Sequence, residues 1–280
     1  VVVIGGGTAG LEAACTAAEV GCNTFLLEKG NELGGLASLI SRIPAKNRLA
    51  DFPHYLMHRA EQLENLYIFK NTEGTPENIR KFHPNIIVSS TGSAPLLPPI
   101  TGLKDRIDNE NYNIYSILGM INHINDFPKD LEGKKVVVVG GGAVGLDVVE
   151  FFADRNADIS IVEMMDQIGR DLDPVSKNDT KTMMKKHNVH QLTKTALLEV
   201  KDSSFLVKGD GEPYELPFEY GFVCLGMRAQ GQLYQSLTEE FSSEDVEIMN
   251  IGDSQRARRI IDGTQEGRNI LTILEQKGYL

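Results

Sequence analysis

The chain has 280 residues and a formal net charge of −11 at pH 7, so it is long enough for two domains with separate cores. The acidic balance argues against nucleic acid as the main partner, because a phosphate backbone binds a basic surface. Asp147 and Glu150 interrupt the longest apolar stretch before it could cross a bilayer, so we expect a cytoplasmic protein with no membrane partner.

The chain opens with the pattern of a dinucleotide-binding unit. Residues 1–4 are apolar, which predicts a strand buried on both faces of a parallel sheet. A G-x-G-x-x-G turn and a helix follow, and then a second predicted strand that ends at Glu28. The glycines permit a tight turn, close approach of a pyrophosphate and close helix packing, while the acid can bind a ribose diol. The predicted contacts are Gly5, Gly7, Thr8, Ala9, Gly10, Glu28 and Lys29.

The same pattern occurs again from Val136 to Glu163. Gly140 lies 135 residues after Gly5, and Glu163 lies 135 residues after Glu28. Matched spacing favours two dinucleotide-binding units over two unrelated glycine turns. The predicted contacts in the second unit are Gly140, Gly142, Ala143, Val144, Gly145 and Glu163.

The residues after Glu163 bear on the choice of nucleotide. No basic residue follows until Arg170, and a 2′-phosphate beside Glu163 would be repelled. We therefore predict NADH in preference to NADPH. The adjacent Met164 and Met165 are expected to serve packing.

Two further glycine signals lie between the two units. Gly34 and Gly35 predict a second close approach of backbone to ligand, with a plain loop as the alternative. Thr91 and Gly92 end a predicted strand, which is where open α/β sheets bind ligands. The prolines after Gly92 also suit a stiff exit from the domain.

The remaining elements follow from periodicity and turn signals. His54 and His58 lie four residues apart on a predicted helix, but no third ligand is evident and we expect a solvated face rather than a metal site. The predicted helices are 48–63, 114–124, 174–187 and 256–274, and the predicted strands are 66–69, 85–89, 191–200, 204–207, 214–218 and 222–226.

The last strand ends at Gly252, and Asp253 stands at its tip; both are predicted cofactor contacts. Asp253 is predicted to bind the polyol of a flavin, with a helix N-cap as the alternative. Gly226 ends the predicted strand over 222–226 as Gly92 ends its counterpart, and it is likewise a predicted cofactor contact. We predict an α/β fold with two Rossmann-like dinucleotide-binding domains, the second inserted into the first. The predicted first domain is 1–102 with 236–280, and the inserted domain is 103–235.

The three cysteines Cys15, Cys22 and Cys224 form no C-x-x-C or C-x4-C pair and no metal-cluster spacing. Cys224 lies among apolar residues in a predicted strand, so we expect a buried, inert thiol. Val1 already lies inside a predicted strand. We therefore expect the chain to be a segment of a longer polypeptide.

Together these motifs resemble the two-dinucleotide-binding-domain flavoproteins. The resemblance is carried by GGGTAG at 5–10, TGSAPLLPPITG at 91–102, GGGAVG at 140–145 and IGD at 251–253. It implies that the first and last segments bind FAD and that the middle segment binds NAD(P)H. Thioredoxin and glutathione reductases of this fold need a redox cysteine pair, and the absence of one argues against those activities.

A narrower resemblance is carried by Gly34-Gly35-Leu36, by Ile43-Pro44-Ala45-Lys46 and by the predicted helix that follows. These residues are similar to the C-terminal half of the Old Yellow Enzyme-like NADH:flavin oxidoreductases, such as 2,4-dienoyl-CoA reductase, 2-enoate reductase and their relative trimethylamine dehydrogenase. The resemblance implies a partner in the parent chain, an N-terminal (β/α)8 barrel with FMN and a 4Fe-4S cluster, which this sequence does not contain.

The resemblance implies an electron-entry module in which hydride passes from NAD(P)H to FAD, and electrons then reduce an enoate or enoyl thioester through the cluster and FMN. Hydride transfer needs stacked rings rather than a side-chain acid or base, so we assign no catalytic residue. Two alternatives stay open. One is a structural domain that holds ADP without hydride transfer, and the other is a free-standing NADH oxidase or ferredoxin reductase.

Overall fold

The computed structural model describes residues 1–280 and divides into two compact units. Unit 1 comprises Val1–Arg42, Lys46–Ala94 and Arg228–Leu280, and unit 2 comprises Ile43–Ala45 and Pro95–Met227. Each unit has helices around a five-stranded parallel sheet, which confirms the predicted fold class. None of the helices combines the length and the apolar composition that a bilayer-spanning segment requires.

Unit 1 contains the first glycine turn and the last strand of the chain. Short 3-10 helices lie at Pro44–Ala50, at the edge of the unit, and at Gly252–Ser254. Its other elements are β1 (Val2–Ile4), α1 (Thr8–Glu19), β2 (Thr24–Leu27), α2 (Gly35–Ile40), α3 (Asp51–Glu61), β3 (Leu66–Phe69), α4 (Pro76–Arg80), β4 (Ile86–Ser89), α9 (Gln232–Glu240), β15 (Glu247–Asn250), α10 (Ile260–Arg268) and α11 (Ile270–Gln276).

Unit 2 contains the second glycine turn. Two short strands that pair with each other, β5 (Ser93–Pro95) and β14 (Met227–Ala229), carry the chain out of unit 1 and back. The elements of unit 2 are α5 (Leu103–Arg106), β6 (Ile114–Tyr115), α6 (Ile117–Asn122), β7 (Lys135–Val139), α7 (Ala143–Ala153), β8 (Asp158–Val162), α8 (Pro174–Lys186), β9 (His190–Leu192), β10 (Ala196–Val200), β11 (Ser204–Lys208), β12 (Tyr214–Pro217) and β13 (Tyr220–Val223).

The sheet of unit 1 has the order β15-β4-β1-β2-β3 with every pair parallel. The central strand β1 is fully buried, as its apolar sequence predicts. Successive strands run to one side of β1 and then to the other, so the order reverses between β1 and β4. Open α/β sheets bind their ligands at such a reversal, beyond the carboxyl ends of the strands.

The main sheet of unit 2 repeats this plan in the order β6-β13-β7-β8-β9, again with every pair parallel. Here β7 takes the central position, and the second glycine turn follows it. An antiparallel sheet, β10-β11-β12, completes the unit.

In unit 1, glycines of helix α10 face helix α1, and a side chain at Gly267 would not fit. A Cβ built on Gly267 would lie 2.7 Å from the Ala9 carbonyl oxygen, and one on Gly263 would lie 3.3 Å from the Ala9 Cβ. Real side chains do not approach a backbone at the first of these distances. The last segment of the chain is therefore packed against the helix that begins at the first glycine turn.

The predicted domain boundaries at 102/103 and 235/236 do not coincide with the division into units. The units change at 94/95 and 227/228. The proline-rich segment leaves unit 1 within β5 and then joins unit 2. There Thr101 forms a β-bridge with Glu199, and the Thr101 carbonyl oxygen accepts from the Val200 N–H at 2.9 Å. Tertiary hydrogen bonds of this kind have no local sequence signal.

Two predicted helices differ from the structure. Residues 114–124 begin as strand β6, because Ile114 pairs with Gly221 at the sheet edge, and α6 then starts behind Ser116, whose hydroxyl accepts from the Gly119 N–H. The predicted helix over 48–63 starts only at Asp51, after the 3-10 helix, and Leu49 is exposed.

Two long predicted elements are each divided in two. The predicted strand over 191–200 is split into β9 and β10 at Lys194, which has φ of +51° and donates its N–H to the Met165 carbonyl oxygen. The predicted helix over 256–274 starts only at Ile260 and is interrupted at Asn269 between α10 and α11. At Lys194 the hydrogen bond to Met165 overrides a periodicity that continues across the break.

Candidate functional site: two glycine-loop sites

The first glycine loop leaves β1 through a conformation that requires glycine. Gly5 has φ of +100°, and its N–H donates to the Leu27 carbonyl oxygen at 2.8 Å. A Cβ on Gly5 would lie 2.4 Å from the Ser90 carbonyl oxygen, and one on Gly10 would lie 2.0 Å from the Gly5 carbonyl oxygen. These glycines have the turn and packing roles that the motif predicts. Ser90, which sequence reasoning missed, supports the turn by donating its hydroxyl to the Ile4 carbonyl oxygen at 2.7 Å.

The second loop repeats this geometry in unit 2. Gly140 has φ of +109°, and its N–H donates to the Val162 carbonyl oxygen at 2.8 Å. A Cβ on Gly140 would lie 2.1 Å from the Cys224 carbonyl oxygen, and one on Gly145 would lie 1.9 Å from the Gly140 carbonyl oxygen. The two loops are therefore built alike in their hydrogen bonds as well as in their spacing.

Both helices that follow the loops begin without a side-chain cap. Gly7 and Gly142 are the N-cap residues of α1 and α7, and neither offers a side-chain hydrogen bond. The first intrahelical bonds run from Leu11 to Gly7 and from Leu146 to Gly142, at 2.9 and 3.0 Å. The amides of residues 8–10 and 143–145 are therefore free to bind an anion.

The space beside these N-caps is open. A Cβ on Gly142 would meet no atom within 4 Å, and one on Gly7 would meet only the Gly35 Cα at 4.0 Å. Both residues have extended backbone that any residue adopts. Glycine is thus not needed there for the fold, and it leaves room for a ligand to reach the backbone. The donors and the space both fit a pyrophosphate.

Each predicted ribose-binding acid is held by two backbone N–H groups. Glu28 Oε2 accepts from Gly6 and Oε1 accepts from Gly30, both at 2.7 Å. Glu163 Oε2 accepts from Gly141 at 2.6 Å and Oε1 accepts from Met165 at 2.7 Å. These bonds fix the carboxylates, and each oxygen still has a lone pair for a ribose hydroxyl.

The repeat extends beyond the motif into the loop after each acid. The Gly34 N–H donates to the Gly6 carbonyl oxygen at 2.7 Å, and the Gly169 N–H donates to the Gly141 carbonyl oxygen at 2.7 Å. Both donors have positive φ, and they are separated by the same 135 residues as the motif glycines. Gly35 follows and lies against the first loop. Sequence reasoning missed Gly169, although the common spacing identifies it.

A cavity of about 220 Å³ in unit 2 opens beside the second loop. Met164 and Met165 are exposed rather than packed, so the packing prediction for this pair was wrong. Arg170 is also exposed, and its side chain makes no hydrogen bond or ion pair. The residues that line the cavity are Gly141, Gly142, Glu163, Met165, Gln167, Arg170 and Asp171.

Asp253 lies in unit 1 just after the edge strand β15. Its carboxylate accepts from the Ser93 hydroxyl and from the Arg258 backbone N–H, each at 3.0 Å. It is not a helix N-cap, because α10 begins behind Arg259. Thr91 and Gly92 are joined to Gln230 by hydrogen bonds of 2.7 and 2.9 Å, so this exit from the sheet is tied to the segment in which the chain returns to unit 1.

Some predicted site residues stand apart from these networks. Lys29 is exposed and makes no bond to the first loop. Gly226 has φ of +103°, lies beyond β13 in unit 2 and has open space beside it. His54 and His58 lie on the solvated face of α3, and no group of three or more potential ligands is arranged to hold a metal ion.

All three cysteines are free thiols. Burial raises the pKa of Cys15 to about 11 and that of Cys224 to about 12. Both thiols therefore stay protonated near neutral pH, and the protonated form is a poor nucleophile. The prediction that Cys224 is buried is confirmed.

The chain is similar to known oxidoreductases over nearly its whole length. The NADH oxidase of Thermoanaerobacter brockii is 28% identical over 268 residues, which cover 95% of this chain and 40% of that protein. The bilirubin reductase of Mediterraneibacter gnavus is 28% identical over 269 residues, which cover 95% of this chain and 39% of that protein. The chain thus spans about two fifths of the length of these relatives.

A solved structure of a 2-naphthoyl-CoA reductase complex has the same fold as this chain. It matches with a TM-score of 0.80 at 23% identity, over 96% of this chain and 39% of the reductase. The family model for pyridine nucleotide-disulphide oxidoreductases matches residues 1–248. The protein therefore belongs to the pyridine nucleotide-disulphide oxidoreductase family, whose members bind FAD and NAD(P)H.

Proposed function

We propose that this chain is the part of a flavin oxidoreductase that takes electrons from a nicotinamide nucleotide. Unit 1 would hold FAD and unit 2 would hold NADH. The observation that carries the proposal is the pair of matched glycine loops, each with an uncapped helix start and a carboxylate held by two amides. When both nucleotides are bound, hydride passes from the nicotinamide to the flavin.

The residues of the two loops would bind and orient the nucleotides. The free amides of α1 and α7 donate to a pyrophosphate, and the positive ends of the helix dipoles favour its charge. Glu28 and Glu163 accept from ribose hydroxyls. Their orientation is set before binding by backbone hydrogen bonds, so little ordering remains to be done when the nucleotide arrives.

Asp253 would accept from the polyol of the flavin chain. It stands beyond the carboxyl end of β15, on the sheet that also carries the first loop. Ser93 and the Arg258 amide hold its carboxylate. Its fixed position and remaining lone pairs support this role.

The parent protein would pass the electrons on. The chain spans about two fifths of its relatives, which supports a further domain in the full-length protein. We propose that this domain is an N-terminal FMN barrel with a 4Fe-4S cluster that reduces an enoate or enoyl thioester. The relatives named bilirubin reductase and 2-naphthoyl-CoA reductase support a final reduction step of this kind.

The nucleotide taken by unit 2 would be NADH rather than NADPH. Glu163 and Asp171 outnumber Arg170 around the cavity, so its net charge is negative and repels a 2′-phosphate. We expect Glu163→Gln to narrow the preference for NADH by about tenfold, because one repelling charge is removed. Arg170→Ala should widen the preference by removing the cavity's arginine.

Dissociation constants for NADH and NADPH, measured for the two variants and the wild type by fluorescence titration, check this prediction. The ratio of the dissociation constant for NADH to that for NADPH should rise in Glu163→Gln and fall in Arg170→Ala, relative to the wild type. A ratio that is unchanged in both variants would contradict the charge argument.

The main alternative is that unit 1 holds ADP and carries out no hydride transfer. Its glycine loop and Glu28 would make the same contacts with ADP as with FAD, so the protein geometry suits both ligands. Mass spectrometry of the bound ligand, together with the visible absorbance spectrum, separates the two. A flavin spectrum supports the proposal, and ADP without flavin after incubation with FAD opposes it.

A free-standing NADH oxidase or ferredoxin reductase is the other alternative, and a reading frame that encodes a barrel in the same chain would oppose it.

A further inference from the structure

The turn that carries Asp253 is attached to helix α10 by a side chain that no glycine motif predicts. Gly252 has φ of +67° and is buried. Its N–H donates to Glu266 Oε2 at 2.7 Å. A buried amide without an acceptor is costly, so Glu266 stabilises this particular path of the backbone.

Arg258 connects the same glutamate to Asp253. Its guanidinium forms an ion pair with Glu266 Oε1, and its backbone N–H donates to Asp253 Oδ1 at 3.0 Å. The ion pair is largely shielded, with side-chain exposures of 29% for Arg258 and 22% for Glu266. The contacts thus form a closed ring that runs from Gly252 through Glu266 and Arg258 to Asp253.

The turn at 252–254 is also held on the side that faces α1. A Cβ on Gly252 would lie 2.8 Å from the Ala9 Cβ, so the turn is pressed against the start of α1. The hydroxyl of Ser254 donates to the Ile251 carbonyl oxygen at 2.7 Å. Glu266 and Arg258 therefore complete the support of a turn whose other contacts come from α1 and its own backbone.

The charges of the ring also matter for Asp253. Glu266 adds a second carboxylate close to the Asp253 turn, and Arg258 neutralises it. Without Arg258, two like charges would favour a wider separation of the turn and α10. The arginine thus keeps the glutamate close enough to bind the Gly252 amide.

We propose that Glu266 and Arg258 are positioning residues that orient Asp253 toward the flavin polyol, an inference that rests on the proposed FAD site of unit 1. They act through the backbone of 252–253 and need not touch the ligand. Their contribution should therefore depend on the part of the ligand that Asp253 binds. ADP has no polyol chain, whereas FAD has one.

The test compares dissociation constants for FAD and for ADP, measured on the folded protein by fluorescence or calorimetric titration. We expect Glu266→Gln and Arg258→Lys each to weaken FAD binding by about tenfold, which corresponds to ~1.4 kcal/mol. ADP binding should change less than about twofold. The double variant should weaken FAD binding no more than either single variant, because the two residues act as one unit.

The matched controls are Asp262→Asn and Arg259→Lys. These neighbours form an ion pair at the start of α10, with side-chain exposures of 83% for Arg259 and 25% for Asp262, and no hydrogen bond or ion pair joins them to residues 252–254. Both ligands should therefore bind these variants as they bind the wild type. Equal losses of affinity for FAD and ADP in the Glu266 and Arg258 variants would overturn the proposal and indicate a merely structural role. Unchanged FAD binding in these variants would also overturn it. A wild-type protein that binds ADP but not FAD would instead overturn the proposed function and this inference with it.

Discussion

We expect Gly142→Val to fold as the wild type does and to lose at least about 30-fold in affinity for NADH, equivalent to ~2 kcal/mol. Gly142 has extended backbone, and its Cβ position meets no atom within 4 Å. The first carbon of the valine side chain therefore fits the free protein without strain. Its side chain occupies the space through which a pyrophosphate would reach the amides of α7, so the charge-assisted hydrogen bonds cannot form.

The equivalent change in unit 1 supplies the control. Gly7→Val should weaken FAD binding to a similar degree, because Gly7 has the same backbone and only the Gly35 Cα lies at 4.0 Å. Each variant should keep the affinity of the other site and the melting temperature of the wild type. The measurements are titrations with both nucleotides and thermal unfolding followed by circular dichroism. Retained NADH affinity in Gly142→Val would show that the second loop is not a nucleotide site.

The largest effect on stability should come from Arg59→Met. Arg59 is 13% exposed and pairs with Glu12 at 3.0 Å and with Glu19 at 2.5 Å. Glu12 on α1 is only 6% exposed, and its other ion pair is with the more exposed Arg268 at 3.0 Å. Breaking a buried ion pair by removing one partner costs about 3–5 kcal/mol. We expect a loss of ~3 kcal/mol in the free energy of unfolding, at the low end of this range, because Arg268 still pairs with Glu12.

Arg48→Met is the matched control for that loss. Arg48 lies just ahead of the same helix, and its ion pair with Asp51 is 88% and 61% exposed, so the loss should stay below ~1 kcal/mol. Urea unfolding at neutral pH, followed by circular dichroism, measures both. Equal losses in the two variants would mean that the buried network contributes no more than a surface pair.

The pH dependence gives a second measure of the Arg59 network. Arg59 holds the pKa of Glu19 below its usual range. The resulting stabilisation is present above the ordinary glutamate pKa and is lost as the pH falls through the lowered value. As the pH falls from the ordinary glutamate pKa through the lowered value, the free energy of unfolding should therefore decrease more in the wild type than in Arg59→Met.

The glycine loops could be predicted from sequence because the constraints on them each select one residue type. Gly5 and Gly140 have positive φ and stand where a Cβ would meet a backbone oxygen, and these requirements leave glycines at fixed intervals. Glu28 and Glu163 likewise follow their glycines at the same spacing, and each accepts from one amide of its glycine loop and from one amide just after itself. Constraints that admit one residue type at a fixed spacing leave a pattern that can be read in the sequence.

The parts that were missed depend on contacts between distant segments. Arg170 seemed remote from Glu163 along the chain, but the Gly169 bond to Gly141 folds the loop back and brings Arg170 to the same cavity. The helix predicted from 256 starts later because the Arg258 amide binds Asp253. Periodicity carries no information on either contact.

The most direct test of hydride transfer from one nucleotide to the other is an anaerobic mixing experiment. Protein loaded with FAD is mixed with an equal amount of NADH, and the visible flavin absorbance is followed. We expect the flavin absorbance to bleach as NADH is oxidised in equal amount, and we expect no bleaching in Gly142→Val. If the wild type binds both FAD and NADH and the flavin absorbance stays unchanged, the protein is not the electron-entry module proposed here.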